Sequence, residues 1–136
     1  MWELYRERLS ATPSAVRLAR RGVSDALVRD GIADAALLAD IALTVSEATT
    51  NAVRHAYPGG SDGHVDVTVA RTAETIIITV SDEGGGMTTA QDAHASGVGL
   101  SLMNSQTDRL EITSGATGTV VTLHFTAPAA TRPQPP

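Results

Sequence analysis

Glu47, Asn51 and His55 stand four residues apart in the segment SEATTNAVRHAY. On a helix that spacing places them in one row, beside an apolar stripe formed by Leu37, Ile41, Val45, Ala48 and Ala52. A polar row at the margin of a buried stripe faces either the rim of a pocket or bulk solvent. In a pocket, Glu47 could act as a general base or orient a water, and the Asn51 amide oxygen suits a magnesium ion. On the other reading the row is a solvated helix edge, with His55 favourable near the helix C-terminus.

Two further segments carry possible chemistry. Asp82-Glu83-Gly84-Gly85-Gly86 follows an apolar run in which Ile76, Ile78, Val80 and Asp82 share one face of a strand. A carboxylate on an apolar face is costly unless it receives hydrogen bonds, so it should meet a donor, a ligand amine being one candidate. The glycines after it permit close backbone approach or positive φ; a plain Asp-Gly turn would use the same residues. Gly97-Val98-Gly99-Leu100 opens a short helix, where glycine-exposed N–H groups can hold an anion without a basic side chain. Tight packing of loop on helix would equally explain those glycines. Thr119 shares a strand face with Val121, Leu123 and Phe125, which turns its hydroxyl toward the inner layer.

These residues need elements to position them. Residues 1–11 read either as a short strand or as lead-in. Thr12-Pro13 has the form of an N-cap followed by proline at the first helical position. Val16, Ala19, Val23 and Leu27 then recur at helical spacing, so a helix is expected over 13–29, stopped by Gly31. Asp34 is the next N-cap, and its helix should run to about Ala56, where Tyr57-Pro58-Gly59-Gly60 breaks it. From there the period changes to two. Val65, Val67 and Val69 mark one strand, 75–81 a second in hairpin with it, Leu110 and Ile112 a third, and 119–126 a fourth. A glycine-rich loop fills 82–99, and a short helix is expected from Leu100 to about Gln106. Helices first and strands afterwards predict an α/β two-layer sandwich with helices on one face. The domain spans 1–126, and 127–136, rich in proline, is expected to be a disordered tail.

Composition narrows the function. The chain has 136 residues, enough for one domain. At 42% hydrophobic but 3% aromatic, its core must be built from Ala, Val, Ile and Leu. It has no cysteine, which removes disulfides, Cys-ligated zinc and thiol nucleophiles. All ten of its Lys+Arg residues are arginine. A Walker P-loop, the usual protein-kinase ATP site and Schiff-base chemistry are therefore excluded, since each needs a lysine. A net charge of −5 argues against a nucleic-acid partner. No apolar stretch spans a membrane, and the acids in the first eight residues do not fit a signal peptide, so a cytoplasmic location is expected. Arg17, Arg20 and Arg21 on the first helix could serve a partner surface, although exposed arginines are ordinary.

Taken in order, Glu-x-x-x-Asn-x-x-x-His-Ala on a helix, Asp-x-Gly-x-Gly after a strand and Gly-x-Gly-Leu opening a helix resemble the GHKL superfamily of ATPases. The resemblance covers roughly residues 12–126. SEATTNAVRHAY, VSDEGGGM, GVGLSLM and GTVVTLHF look most like the small anti-sigma-factor serine/threonine kinases. It implies an α+β Bergerat fold, its mixed, mostly antiparallel sheet covered on one face by helices. It further implies that Asn51 ligates magnesium, that Glu47 is the catalytic base, and that Asp82 accepts from the adenine amino group with Thr119 nearby. Gly84, Gly86 and Met87 would shape the adenine pocket. Gly97, Val98, Gly99 and Leu100 would bring backbone amides to the phosphates, and 87–96 would form the lid. His55 matches the motif by type, in a structural role. The lid has no arginine, and His94 is its one residue able to offer a cation. The implied function is an ATP- and magnesium-dependent anti-sigma factor, binding a sigma factor and phosphorylating a STAS-type anti-anti-sigma protein, with a homodimer as the usual state. The alternative is a nucleotide-binding switch that sequesters its partner without phosphoryl transfer.

Overall fold

The computed structural model describes residues 1–56, 63–84, 103 and 105–128. The first element is a strand, β1 (Trp2–Ser10), which settles the ambiguity over residues 1–11. It pairs antiparallel with β2 (His64–Arg71), and the register shifts between Glu3 and Tyr5. That irregularity moves the phase of the side-chain alternation, so a period of two is hard to read from the residues alone.

Helix α1 (Ser14–Arg29) buries Ala15, Ala19, Val23, Ala26 and Leu27. The expected Thr12 cap is replaced by something simpler. Pro13 already has helical dihedrals, and the Thr12 carbonyl, not its hydroxyl, accepts from the Ala15 N–H at 2.9 Å. At the other end Gly31 takes φ +98°. The Ile32 N–H donates to the Leu27 carbonyl and the Gly31 N–H to that of Val28, each at 3.0 Å. This is a Schellman closure, and the pairing of buried Ile32 with buried Leu27 seals it.

Helix α2 (Ala35–Asn51) begins where expected, the Leu37 N–H donating to the Asp34 carboxylate at 3.1 Å. Asp34→Ala should lower stability by about 1 kcal/mol, the usual worth of an N-cap, with denaturant melts as the check. Ile41, Val45 and Ala48 enter the core. The buried Thr44 and Thr49 hydroxyls satisfy themselves on the carbonyls of Ile41 and Val45. The helix does not continue unchanged to Ala56, because Ala52–Ala56 forms a π turn.

The remaining strands are β3 (Thr75–Asp82), β4 (Arg109–Gly115) and β5 (Gly118–Thr126). The sheet runs β1-β2-β3-β5-β4, antiparallel at every pairing of the described strands. Helix α1 packs on α2, β1 and β2; α2 packs on β3, and the π turn on β3 and β5. Thus one face of the sheet is covered, in the two-layer α+β arrangement expected. The inward rows are Val65, Val67, Val69 and Arg71 on β2, Ile76, Ile78, Val80 and Asp82 on β3, and Thr119, Val121, Leu123 and Phe125 on β5. The turn at 57–60, the loop over 85–99, most of the expected short helix and the tail from 129 lie outside the described residues.

One buried group has no counterpart in the sequence reading. Arg71 ends the β2 row with its side chain 0% exposed, and its Nη1 lies 2.6 Å from Asp30 Oδ2, itself 4% exposed. Arg71 Nε donates to the Thr72 carbonyl at 3.0 Å and Nη2 to that of Ala73 at 3.3 Å. The guanidinium also lies 5.8 Å from the centre of the Trp2 ring. A single side chain thereby ties the end of α1 to the β2–β3 hairpin and to Trp2, the first residue of β1.

Candidate functional site

Asp82 is the last residue of β3, and alternation along the strand sends it inward with Ile76, Ile78 and Val80. It is 9% exposed. Directly across the ladder stands Thr119 on β5, 6% exposed. The Gly84 N–H donates to Asp82 Oδ1 at 3.0 Å, and the backbone N–H of Thr119 also donates to this carboxylate. Burial raises the Asp82 carboxyl above the ordinary aspartate value, and those two N–H groups pull it part of the way back. Its neighbour Glu83 behaves oppositely. That side chain is 73% exposed and lies 3.4 Å from Arg8. Of two consecutive carboxylates, only Asp82 is delivered to the inner layer.

Gly118 was not singled out in the sequence, yet the site depends on it. It takes φ +140°, and a Cβ there would lie 2.0 Å from the Asp82 carbonyl oxygen. No side chain can replace that hydrogen without pushing β5 off the end of β3. The signal in the sequence was Gly118 directly before Thr119 in GTVVTLHF. Thr119 has one more side-chain partner, Ser114 of β4, at 2.9 Å between hydroxyl oxygens.

Glu47 and Asn51 lie one turn apart on α2, both half-buried. The π turn that follows Asn51 packs against β3 and β5, the strands of Asp82 and Thr119. The helix row and the buried carboxylate therefore belong to the same covered side of the sheet. Gly84 is also described, half-buried and bonded to Asp82. Gly86, Met87, Gly97, Val98, Gly99, Leu100 and His94 lie outside the described residues.

The family model of the histidine kinase-like ATPase domain matches residues 9–125, and the chain belongs to that family. Within it, the chain stands with the anti-sigma factors. It is 34% identical over 101 residues to the anti-sigma F factor of Bacillus thuringiensis, covering 65% of this chain and 68% of the relative. With that of Bacillus cytotoxicus the identity is 35% over the same length. Among solved structures, the RsbU and RsbW domains of Rv1364c from Mycobacterium tuberculosis match at 29% identity and a TM-score of 0.71. That likeness covers 92% of this chain but only 34% of the crystallised one. The fold alone is shared with the histidine kinase AdeS of Acinetobacter baumannii, 14% identical with a TM-score of 0.52. No helix among the described residues is long and apolar enough to cross a membrane.

Proposed function

We propose that this protein is a cytoplasmic anti-sigma factor that binds ATP with magnesium and phosphorylates a hydroxyl side chain of a STAS-type anti-anti-sigma protein. The observation that supports this most is the buried Asp82 carboxylate, set opposite Thr119 on the covered face. A buried carboxylate with free acceptor capacity suits an exocyclic amine, and the adenine amino group is one. In this reading Asp82 and Thr119 hold the base, and Gly84, Gly86 and Met87 shape its pocket. The backbone at Gly97, Val98, Gly99 and Leu100 holds the phosphates, as a chain without lysine requires. Asn51 supplies a hard oxygen for magnesium. Among the described residues no three His, Asp or Glu side chains converge, so the other ligands would come from phosphate and water. Bound Mg-ATP supplies the phosphoryl group and neutralises its charge. Glu47 accepts the proton of the attacking hydroxyl. A sigma factor as the sequestered partner, and a homodimer as the active state, belong to the same proposal.

Calorimetry with Mg-ATP tests the binding half; absence of binding at millimolar nucleotide would overturn it. Asp82→Asn should weaken ATP by about 10- to 100-fold, the scale of a hydrogen bond to a charged group. The same variant should melt no lower than wild type. A raised carboxyl value in the folded state means that the ionised group costs stability, a cost absent below the unfolded value and complete once pH passes the folded one. Loss of affinity without loss of stability is thus the signature of a ligand-binding carboxylate. Transfer of labelled phosphate from ATP to STAS proteins of the same genome tests the catalytic half.

One observation favours a second reading, a nucleotide-dependent switch that sequesters its partner without turnover. The 87–96 segment has no arginine, and loss of a cationic group can slow phosphoryl transfer by ~10³-fold or more. Tight ATP binding with no labelled product would select that reading.

A further inference from the structure

The described helices pack on the buried rows of the sheet, and among the described residues no element covers its other face. Side chains of the second alternation set stand there, in rows that the ladder register carries across all five strands. One row runs from Glu3 on β1 through Ile77 on β3 to Arg109 on β4, and the next from Arg6 through Thr79 to Glu111. In these two rows the formal charges stand at the sheet edges. On β1, Arg6 Nη2 lies 2.8 Å from Glu3 Oε1, the side chains 67% and 46% exposed. On β4, Arg109 Nε lies 3.2 Å from Glu111 Oε1, the side chains 69% and 47% exposed. On the central strand β3, Ile77 and Thr79 are half-buried, and the Thr79 hydroxyl is bonded to that of Thr68.

The two edges carry the same pair of signs in opposite order. At the first level β1 presents an acid and β4 a base; at the second, β1 presents a base and β4 an acid. A two-fold axis parallel to β3 and lying over the face turns the β1 edge of one copy onto the β4 edge of the other. It keeps each level in place, so Glu3 meets Arg109 of the second copy and Arg6 meets its Glu111, each twice by symmetry. Ile77 and Thr79 then stand near the axis, against their own counterparts. A two-fold axis across the strands does the reverse, setting Arg6 on Arg6 and Glu111 on Glu111. Charge therefore selects one of the two face-to-face arrangements, and it keeps the strands of the two sheets nearly aligned, as stacked sheets pack. The third level, Arg8 on β1 against Thr113 on β4, adds no like-charge contact, and Arg8 is held by Asp66 at 2.9 Å. Strands of seven to nine residues at the usual spacing make a face of roughly 600 Å², so two copies would bury roughly 1,200 Å², the lower end for a specific interface.

We propose that this open sheet face is where two copies of the chain associate, about an axis along β3, with Glu3–Arg109 and Arg6–Glu111 as reciprocal intermolecular ion pairs. This rests on the homodimer reading above and adds to it the surface and the symmetry. The charged edges set the orientation, and the neutral centre around Ile77 supplies apolar contact. The helix-covered side, where Asp82 and Asn51 lie, is then turned outward in both copies.

The test is analytical sedimentation of the full chain and its charge-reversal variants at matched concentrations. Wild type should sediment as a dimer. Arg6→Glu sets a carboxylate against Glu111 at two symmetric places, and Glu111→Arg sets a guanidinium against Arg6. Each should weaken dimerisation by about 100-fold or more, the scale of like charges set against each other across an interface. An equimolar mixture of the two variants should recover the dimer. There the reversed β1 edge of one chain meets the reversed β4 edge of the other, while the second contact is the native one. The double variant, Arg6→Glu with Glu111→Arg, should dimerise by itself. A dimer that survives either single reversal overturns the proposal. So does a mixture or a double variant that stays monomeric, the result expected if the substitutions only disturbed the fold. If wild type is a monomer at every concentration, the homodimer reading itself falls and carries this one with it, an outcome distinct from all the others.

Discussion

Arg71→Ala should lower the free energy of unfolding by about 3–5 kcal/mol, the range for removing one partner of a buried ion pair. Against a domain stability of ~5–15 kcal/mol, this is the most destabilising single truncation expected outside the apolar core. The loss has several parts. Asp30 stays 4% exposed with its charge uncompensated. The carbonyls of Thr72 and Ala73 lose the guanidinium donors that hold the hairpin, and the Trp2 ring loses the cation beside it. Urea melts of wild type and variant, compared at equal m-value, measure the difference. Replacing both partners with apolar residues of similar volume, Arg71→Met with Asp30→Leu, should recover much of it, because the dominant penalty is the orphaned buried charge. A change of under 1 kcal/mol in Arg71→Ala would show that the pair contributes little beyond its own desolvation.

Glu47→Ala should slow phosphoryl transfer to the acceptor protein by ~10²–10⁴-fold, the contribution of a general base, while leaving ATP affinity within about threefold of wild type. Two features support the division. Glu47 is half-buried on α2, a turn before Asn51 and on a different element from Asp82 and Thr119, so its loss leaves β3 and β5 intact. It also lies on the helix surface beside the core stripe, not within it, so truncation opens no cavity. Single-turnover kinetics with labelled ATP, alongside calorimetry of the same preparation, separate transfer from binding. An unchanged transfer rate would remove Glu47 from the mechanism, and a parallel fall in affinity would make it a binding residue.

Much of the architecture could be read along the chain because its causes are local. Alternation of two assigns β2, β3 and β5 and puts Asp82 and Thr119 on inward faces, since the side-chain period of a strand is a property of its own backbone. Asp34 caps α2 through a carboxylate three residues from its donor, and Gly31 ends α1 because the chain there needs a positive φ. The misreadings were local too. Thr12 lost its capping role to Pro13, whose ring fixes φ in the helical range. The end of α2 is local in cause as well: Ala52–Ala56 winds as a π turn, a change that residue spacing does not announce.

The residues by themselves determined which side chains are available for chemistry and which phosphate sites were closed to a chain with arginine but no lysine. Periodicity, capping and side-chain type act over a few residues and are written in order along the chain. Only the tertiary structure decided which of those residues become neighbours. It inserted β5 between β3 and β4, so that Asp82 meets Thr119, Thr119 meets Ser114, and Gly118 must be glycine to lie against the Asp82 carbonyl. It also buried Arg71 on Asp30, 41 positions away, where a surface arginine was the natural expectation. Strand order and burial depend on which apolar faces close on one another across the whole chain, and no local spacing encodes that choice.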